Sequence, residues 1–150
     1  MARNALALAL GLAGLAAASA AVASPPQCLP RVERAWIRAA PPGATVLAGY
    51  ATLRNDCAQP FVLTGVAGRD FVMAMVHETR VANGRSSMRH AKRTVVPARG
   101  SLRLAPGGYH LMLMHPKRAL PAGTVLRLEL LGEGGRRVPA DFTVSRTEPR

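Results

Sequence analysis

Turn-forming residues divide most of this chain into runs that are too short for long helices. From Arg31 onward, runs of 4 to 12 residues rich in Val, Leu and Thr alternate with PPG, NG, PGG, PAG and GEGG. Such runs between turn signals are typical of β-strands. The predicted strands are 31–38, 46–54, 61–66, 71–82, 85–92, 101–104, 109–115, 124–131 and 136–144. The pattern predicts one all-β domain, either a β-sandwich or a Greek-key barrel.

The N-terminal segment has the pattern of a secretory signal peptide. One arginine precedes an Ala/Leu run, and Ala21-Val22-Ala23 fits an A-x-A cleavage site before Ser24. The apolar run is short for a membrane span, and a retained N-terminal anchor is the alternative. We therefore predict that residues 1–23 are removed and that 24–150 form a periplasmic domain without a transmembrane span.

The two cysteines, Cys28 and Cys57, both lie in the predicted mature domain. In an oxidising compartment such a pair is expected to form a disulfide. The alternative, two thiolate metal ligands, is less favoured because the chain has no C-x-x-C spacing.

The chain is strongly basic. Its formal net charge is +12, which becomes +11 when Arg3 leaves with the signal peptide. Aromatic residues make up only 4% of the chain, too few for a platform on which nucleic-acid bases could stack. The charge therefore favours an acidic protein partner or an anionic surface over nucleic acid.

The histidines and methionines are concentrated in one part of the chain. All four histidines, and every methionine except Met1, lie between positions 73 and 115. The residues that alternate on predicted strand faces are Met73, Met75 and His77 in the first group and His110, Met112 and Met114 in the second. We expect His110 at the rim of its strand, and the two groups facing each other across a barrel mouth.

The dipeptide Asn83-Gly84 predicts a type I′ hairpin turn. That turn would pair His77 with His90 and Thr79 with Met88, so that Met88 lies diagonal to His77.

Thioether sulfur and neutral imidazole together favour Cu(I) over Zn²⁺, Mg²⁺ or Ca²⁺, because thioethers are soft ligands. The alternative is that the methionines pack a core and the histidines lie on the surface. The separation of these residues from the rest of the chain favours a metal site.

The spacing His77-x₁₀-Met88-x₂₁-His110-x-Met112 resembles the metal motif of the PCu(A)C periplasmic copper chaperones. LAPGGYHLMLM at 104–114 and AWIRAAPPGATVLAGYATLRN at 35–55 also resemble that family. The resemblance implies a cupredoxin-like β-barrel that binds Cu(I) through His77, Met88, His110 and Met112. It also implies delivery of the copper toward the CuA centre of cytochrome c oxidase, through an oxidase subunit or its assembly factor.

One departure from the family pattern is His90, which stands where many members have a second methionine. His90 is therefore a candidate auxiliary ligand, as is Met114 on the last predicted strand of the cluster.

An enzyme is not expected. The stretch HETRV begins like the zinc-protease motif H-E-x-x-H but has Val81 in place of the second histidine. A blue-copper site would need a cysteine thiolate, and both cysteines are distant from the cluster in sequence. The alternative function is a basic binding module for an acidic protein or a polyanion, without metal delivery.

Overall fold

The computed structural model describes residues 27–149, so the predicted signal peptide lies outside the described residues. The strands are β1 Arg31–Arg38, β2 Val46–Asn55, β3 Phe61–Ala67, β4 Phe71–Ala82, β5 Arg85–His90, β6 Thr94–Val96, β7 Gly100–Leu104, β8 Tyr109–Pro116, β9 Val125–Gly132 and β10 Arg137–Ser145. A 3₁₀ turn, Glu133–Gly135, is the only helical element in residues 27–149.

The nine predicted strands are all present, and their ends agree within two residues. β6 was not predicted, because three residues are too few to show an alternating pattern. β5 ends at His90 instead of Lys92, since the next residue, Ala91, is buried and its N–H donates to the carbonyl of Val76.

The strands form one sheet in the order β5-β4-β8-β2-β1-β10-β9-β3-β6, and β7 pairs with the second half of β2. β1 and β10 are parallel, and the other pairs are antiparallel. Strands that are distant in sequence therefore lie side by side. The most important pair for the site is β4 with β8.

One apolar core lies on the inner face of the sheet. Its most deeply buried members include Leu63, Val76, Leu111, Leu113, Leu128 and Phe142, all with no exposed surface. Val76, Leu111 and Leu113 come from β4 and β8. Since side chains alternate along a strand, the neighbours of these three residues must project from the outer face.

The Cys28–Cys57 disulfide is present and joins the segment before β1 to the turn after β2. Beside it, the buried side chain of Asn55 donates hydrogen bonds to the carbonyls of Gln59 (2.9 Å) and Pro97 (3.0 Å). The Asn55 Oδ1 accepts a hydrogen bond from the N–H of Cys57 at 3.1 Å. These bonds replace ladder partners where β2 ends.

Within residues 27–149, the chain contains no helix of the length and apolarity that a membrane crossing requires.

Candidate metal centre

Eight side chains form a surface that we call the His/Met face. They are Met73, Met75 and His77 on β4, Met88 and His90 on β5, and His110, Met112 and Met114 on β8. On β4 and β8 they alternate with the core residues Val76, Leu111 and Leu113. The His/Met face is therefore the outer surface of a three-stranded part of the sheet.

The two histidines at the centre of this face are cross-strand neighbours. His77 on β4 is directly opposite His110 on β8, and their ring centroids are 6.0 Å apart. Our expectation of two groups facing across a barrel mouth was wrong, because β4 and β8 are paired neighbours from Phe71 to Glu78. His110 does lie at the start of its strand, as the second residue of β8, but it is buried there, with only 7% of it accessible.

Two pairs of methionines continue from the histidine pair along the same strands. Met75 is opposite Met112, and Met73 is opposite Met114. Directly opposed side chains on one face have Cβ atoms about 5 Å apart. The thioethers of Met75 and Met112 thus lie immediately beside the His77–His110 pair.

The edge hairpin has the predicted geometry. Asn83 and Gly84 have φ values of 52° and 71°, as a type I′ turn requires. His77 is opposite His90 with ring centroids 5.8 Å apart, and Thr79 is opposite Met88. Met88 is 55% exposed and lies on the other side of the His77–His110 pair from Met112.

A tight turn before β8 orients the His110 ring. Pro106-Gly107 occupy the centre of a turn closed by the Gly108 N–H donating to the Ala105 carbonyl at 3.1 Å, and Gly107 has φ 80°. Proline followed by a residue of positive φ is the type II pattern. The Gly108 carbonyl lies 3.0 Å from His110 Nδ1. Because a carbonyl can only accept, Nδ1 carries a proton, and Nε2 is the nitrogen left to bind a metal ion.

His77 is the most constrained of the histidines. Neither of its ring nitrogens, both shielded from solvent, has a hydrogen-bond partner among the residues that the structure describes. Burial lowers the pKa of His77, and the neighbouring His110 and His90 lower it further. The ring is therefore kept neutral, which is the form that binds a metal ion.

Carboxylates do not contribute to this face. Glu78 points to the opposite side of β4, where it forms ion pairs with Arg80 (2.9 Å) and Arg89 (2.7 Å). Hydrogen bonds from these two arginines hold the pKa of Glu78 below its usual value. Across residues 27–149, no three His, Cys, Asp or Glu side chains are grouped closely enough to hold a metal ion. A metal held here by three or more side chains would therefore include a thioether among its ligands.

The sequence pattern did not single out Met75 as a site residue, although it shares a strand face with His77. The sequence could not show that Met75 lies opposite Met112, because Met112 belongs to a strand more than 30 residues away. His115 lies apart from the His/Met face, where it lines a cavity of about 590 Å³ with Pro41 and Leu120.

Comparison with known proteins identifies the family of this chain. Residues 31–144 match the family described as "Putative lipoprotein LpqE-like". The chain belongs to the LpqE-like family. It is 33% identical over 115 residues to the "Putative lipoprotein Lxx21020" of Leifsonia xyli subsp. xyli. The aligned region covers 76% of this chain and 68% of that protein.

Several solved structures are similar to this one, and two of them contain copper. The copper-bound PCuAC domain from PmoF2 has a TM-score of 0.64 and 25% identity over 77% of this chain and 92% of that domain. The Cu(I) form of DR1885 from Deinococcus radiodurans has a TM-score of 0.62 and 34% identity over 75% of this chain and 76% of that one. The predicted PCu(A)C relationship and the cupredoxin-like all-β fold are confirmed.

Proposed function

We propose that this protein is a periplasmic metallochaperone that binds Cu(I) on the His/Met face and passes it to an acceptor protein. The observation that carries the proposal is the His77–His110 pair, which lies between thioethers on a face without carboxylates. Two relatives of the same fold have been solved with copper, one of them with Cu(I).

The chemistry of the face suits a transported ion. Neutral imidazoles and thioethers bind soft Cu(I) without a charged ligand, and they do not hold it as strongly as thiolates would. The proposed ligands are His77, Met88, His110 and Met112. For His110, the ligand atom is Nε2, because Nδ1 donates to the Gly108 carbonyl.

We infer a binding protein and not an enzyme. Glu78, the carboxylate closest in sequence to His77, is bound by two arginines on the other side of the sheet, where it cannot act as a base toward a copper ligand. Cys57 is paired with Cys28, so the described residues offer no thiolate for a blue-copper site.

The relatives indicate a protein that works outside the cytoplasm, since both the family and the Leifsonia xyli protein are described as lipoproteins. Our proposal is export by the signal peptide at residues 1–23 and a periplasmic location for the domain at 24–150. The disulfide fits such an oxidising compartment.

The proposed destination of the copper is the CuA centre of cytochrome c oxidase, reached through an oxidase subunit or its assembly factor. The net charge of +11 expected for the mature chain favours an acidic acceptor. A basic binding module without metal delivery remains the second candidate, favoured by the same charge.

The test combines Cu(I) binding with transfer. Wild type and His110→Ala are titrated with Cu(I) against a competing chelator, and each loaded protein is then mixed with an apo CuA domain. We expect one tightly bound Cu(I) in wild type, loss of tight binding in His110→Ala, and copper transfer from wild type alone. Salt-sensitive binding to an acidic protein that is unchanged in His110→Ala, without copper transfer, would support the basic binding module.

A further inference from the structure

We propose that Met75 is a copper ligand, and that His77, His110, Met75 and Met112 form the inner site on which Cu(I) rests. Met88 is then an outer ligand, which binds the ion when the edge hairpin closes and leaves it when the hairpin opens. This inference rests on the proposed function and changes its ligand set.

The strand register places these four residues at the corners of one small square. His77 is opposite His110, and Met75 is opposite Met112. Within each strand the histidine and methionine are two residues apart on the same face. Two nitrogen and two sulfur ligands thus lie on one pair of hydrogen-bonded strands, and no movement of the backbone is needed to bring them together.

Met88 is placed differently. It belongs to β5, pairs with Thr79, and lies beyond His77 on the side away from Met112. All six residues of β5 are exposed, and within residues 27–149 the strand pairs with β4 alone, at the edge of the sheet. For Met88 and Met112 to bind the same ion, β5 must curl over His77, whereas Met75 is already adjacent.

Packing alone does not account for Met75. Within the described residues, Val76 belongs to the apolar core and Ala74 packs against it, but Met75, which lies between them in sequence, is not part of that core. Its side chain is half-buried on the outer face, beside His77. The two shielded ring nitrogens of His77 also have no hydrogen-bond partner among the described residues. A metal ion held between these side chains would satisfy the orphaned imidazole.

The arrangement separates retention of copper from its release. The inner ligands come from the two strands that also contribute Val76, Leu111 and Leu113 to the core, so they are held rigidly. The outer ligand comes from an exposed edge hairpin, the kind of element that opens at low energetic cost. An acceptor ligand can then replace Met88 while the inner site keeps the ion.

The experiment compares three methionine-to-leucine variants, since leucine has nearly the volume of methionine without its sulfur. Met75→Leu and Met88→Leu are the test variants. Met73→Leu, on the same face of β4 but one pair farther from the histidines, is the matched control. Cu(I) affinity is measured by chelator competition, and the methionine methyl groups of wild type are followed by NMR as Cu(I) is added.

We expect Met75→Leu to weaken Cu(I) binding by at least about tenfold and by clearly more than Met73→Leu does, and we expect the Met75 methyl signal to shift on loading. Thermal unfolding of each apo variant is measured to check that the variant is folded. If Met75→Leu binds like Met73→Leu and only Met88→Leu is weakened, Met75 is not a ligand, although the chaperone proposal survives. If folded wild type fails to bind Cu(I), both proposals are wrong.

Discussion

At the scale of single residues, the chemistry of the His/Met face depends on where imidazole protons lie. The Gly108 carbonyl, set by the Pro106-Gly107 turn, keeps the proton of His110 on Nδ1. Burial and neighbouring imidazoles keep His77 neutral. His77 therefore offers a nitrogen lone pair to a metal ion, and the Gly108 carbonyl directs Nε2 of His110 toward the same face as its ligand atom.

The lowered pKa of His77 predicts that the apo-protein loses stability in acid. An unfolded histidine takes up its proton near pH 6.5, while folded His77 does so only at lower pH. The unfolded state therefore binds more protons below that value, and folding weakens as pH falls. Urea unfolding is measured at about pH 7.5 and pH 5. The free energy of unfolding should fall less between these pH values in His77→Gln than in wild type. It should fall as in wild type in the control His115→Gln, at an exposed position, and equal decreases in all three proteins would contradict the assignment.

His90 is predicted to extend the site toward oxidised copper. It is opposite His77, with ring centroids 5.8 Å apart, and imidazole is a harder ligand than thioether. His90→Met should therefore weaken Cu(II) binding and leave Cu(I) binding intact, when the two affinities are measured separately. If neither affinity changes by more than about threefold, roughly 0.7 kcal/mol, His90 does not bind the metal.

At the scale of strands and turns, the sequence predicted pairing between strands joined by a short turn. It did not predict which strands distant in sequence would pair. Asn83-Gly84 predicted the hairpin register that brings Thr79 opposite Met88, because a type I′ turn allows one pairing. The pairing of β4 with β8 could not be predicted, since no turn connects them and several registers would satisfy the same alternation. The sequence therefore identified the histidines but not the Met75–Met112 pair that follows from the register.

Strand β5 should be the least stable part of the sheet near the site. All of its residues are exposed and it pairs with β4, whereas β8 pairs with both β4 and β2. Amide hydrogen exchange of the apo-protein should be faster in β5 than in β8. Cu(I) should slow exchange in β5 if Met88 closes on the ion, and the Met88→Leu protein should lose that slowing. Unchanged exchange in wild-type β5 would mean that the hairpin does not take part in binding.

The disulfide is predicted to stabilise the fold without serving the site. It joins residues 29 apart, and closing such a loop contributes roughly 3 to 4 kcal/mol in the chain-entropy model. The double variant Cys28→Ser/Cys57→Ser should unfold at lower urea concentration and still bind one Cu(I). Loss of copper from a folded double variant would show that the cysteines belong to the site.

At the scale of the whole molecule, one sheet keeps stability and metal chemistry on separate faces. The inner face buries the leucines, valines and phenylalanines of a single core, while the outer face of β5, β4 and β8 presents the histidines and methionines. Glu78 and its two arginines lie on the side away from the proposed copper ligands. The ligands can therefore exchange a metal ion, or be substituted, with little effect on the core.

The most direct measurement is X-ray absorption at the copper edge on the reduced, anaerobic protein loaded with one equivalent of Cu(I). A soft site built on His77 and His110 predicts two nitrogen and at least two sulfur neighbours around the metal. The sulfur contribution should persist in Met73→Leu, which lies outside the proposed inner site. A spectrum with only nitrogen and oxygen neighbours would remove the thioethers from the site and contradict the account.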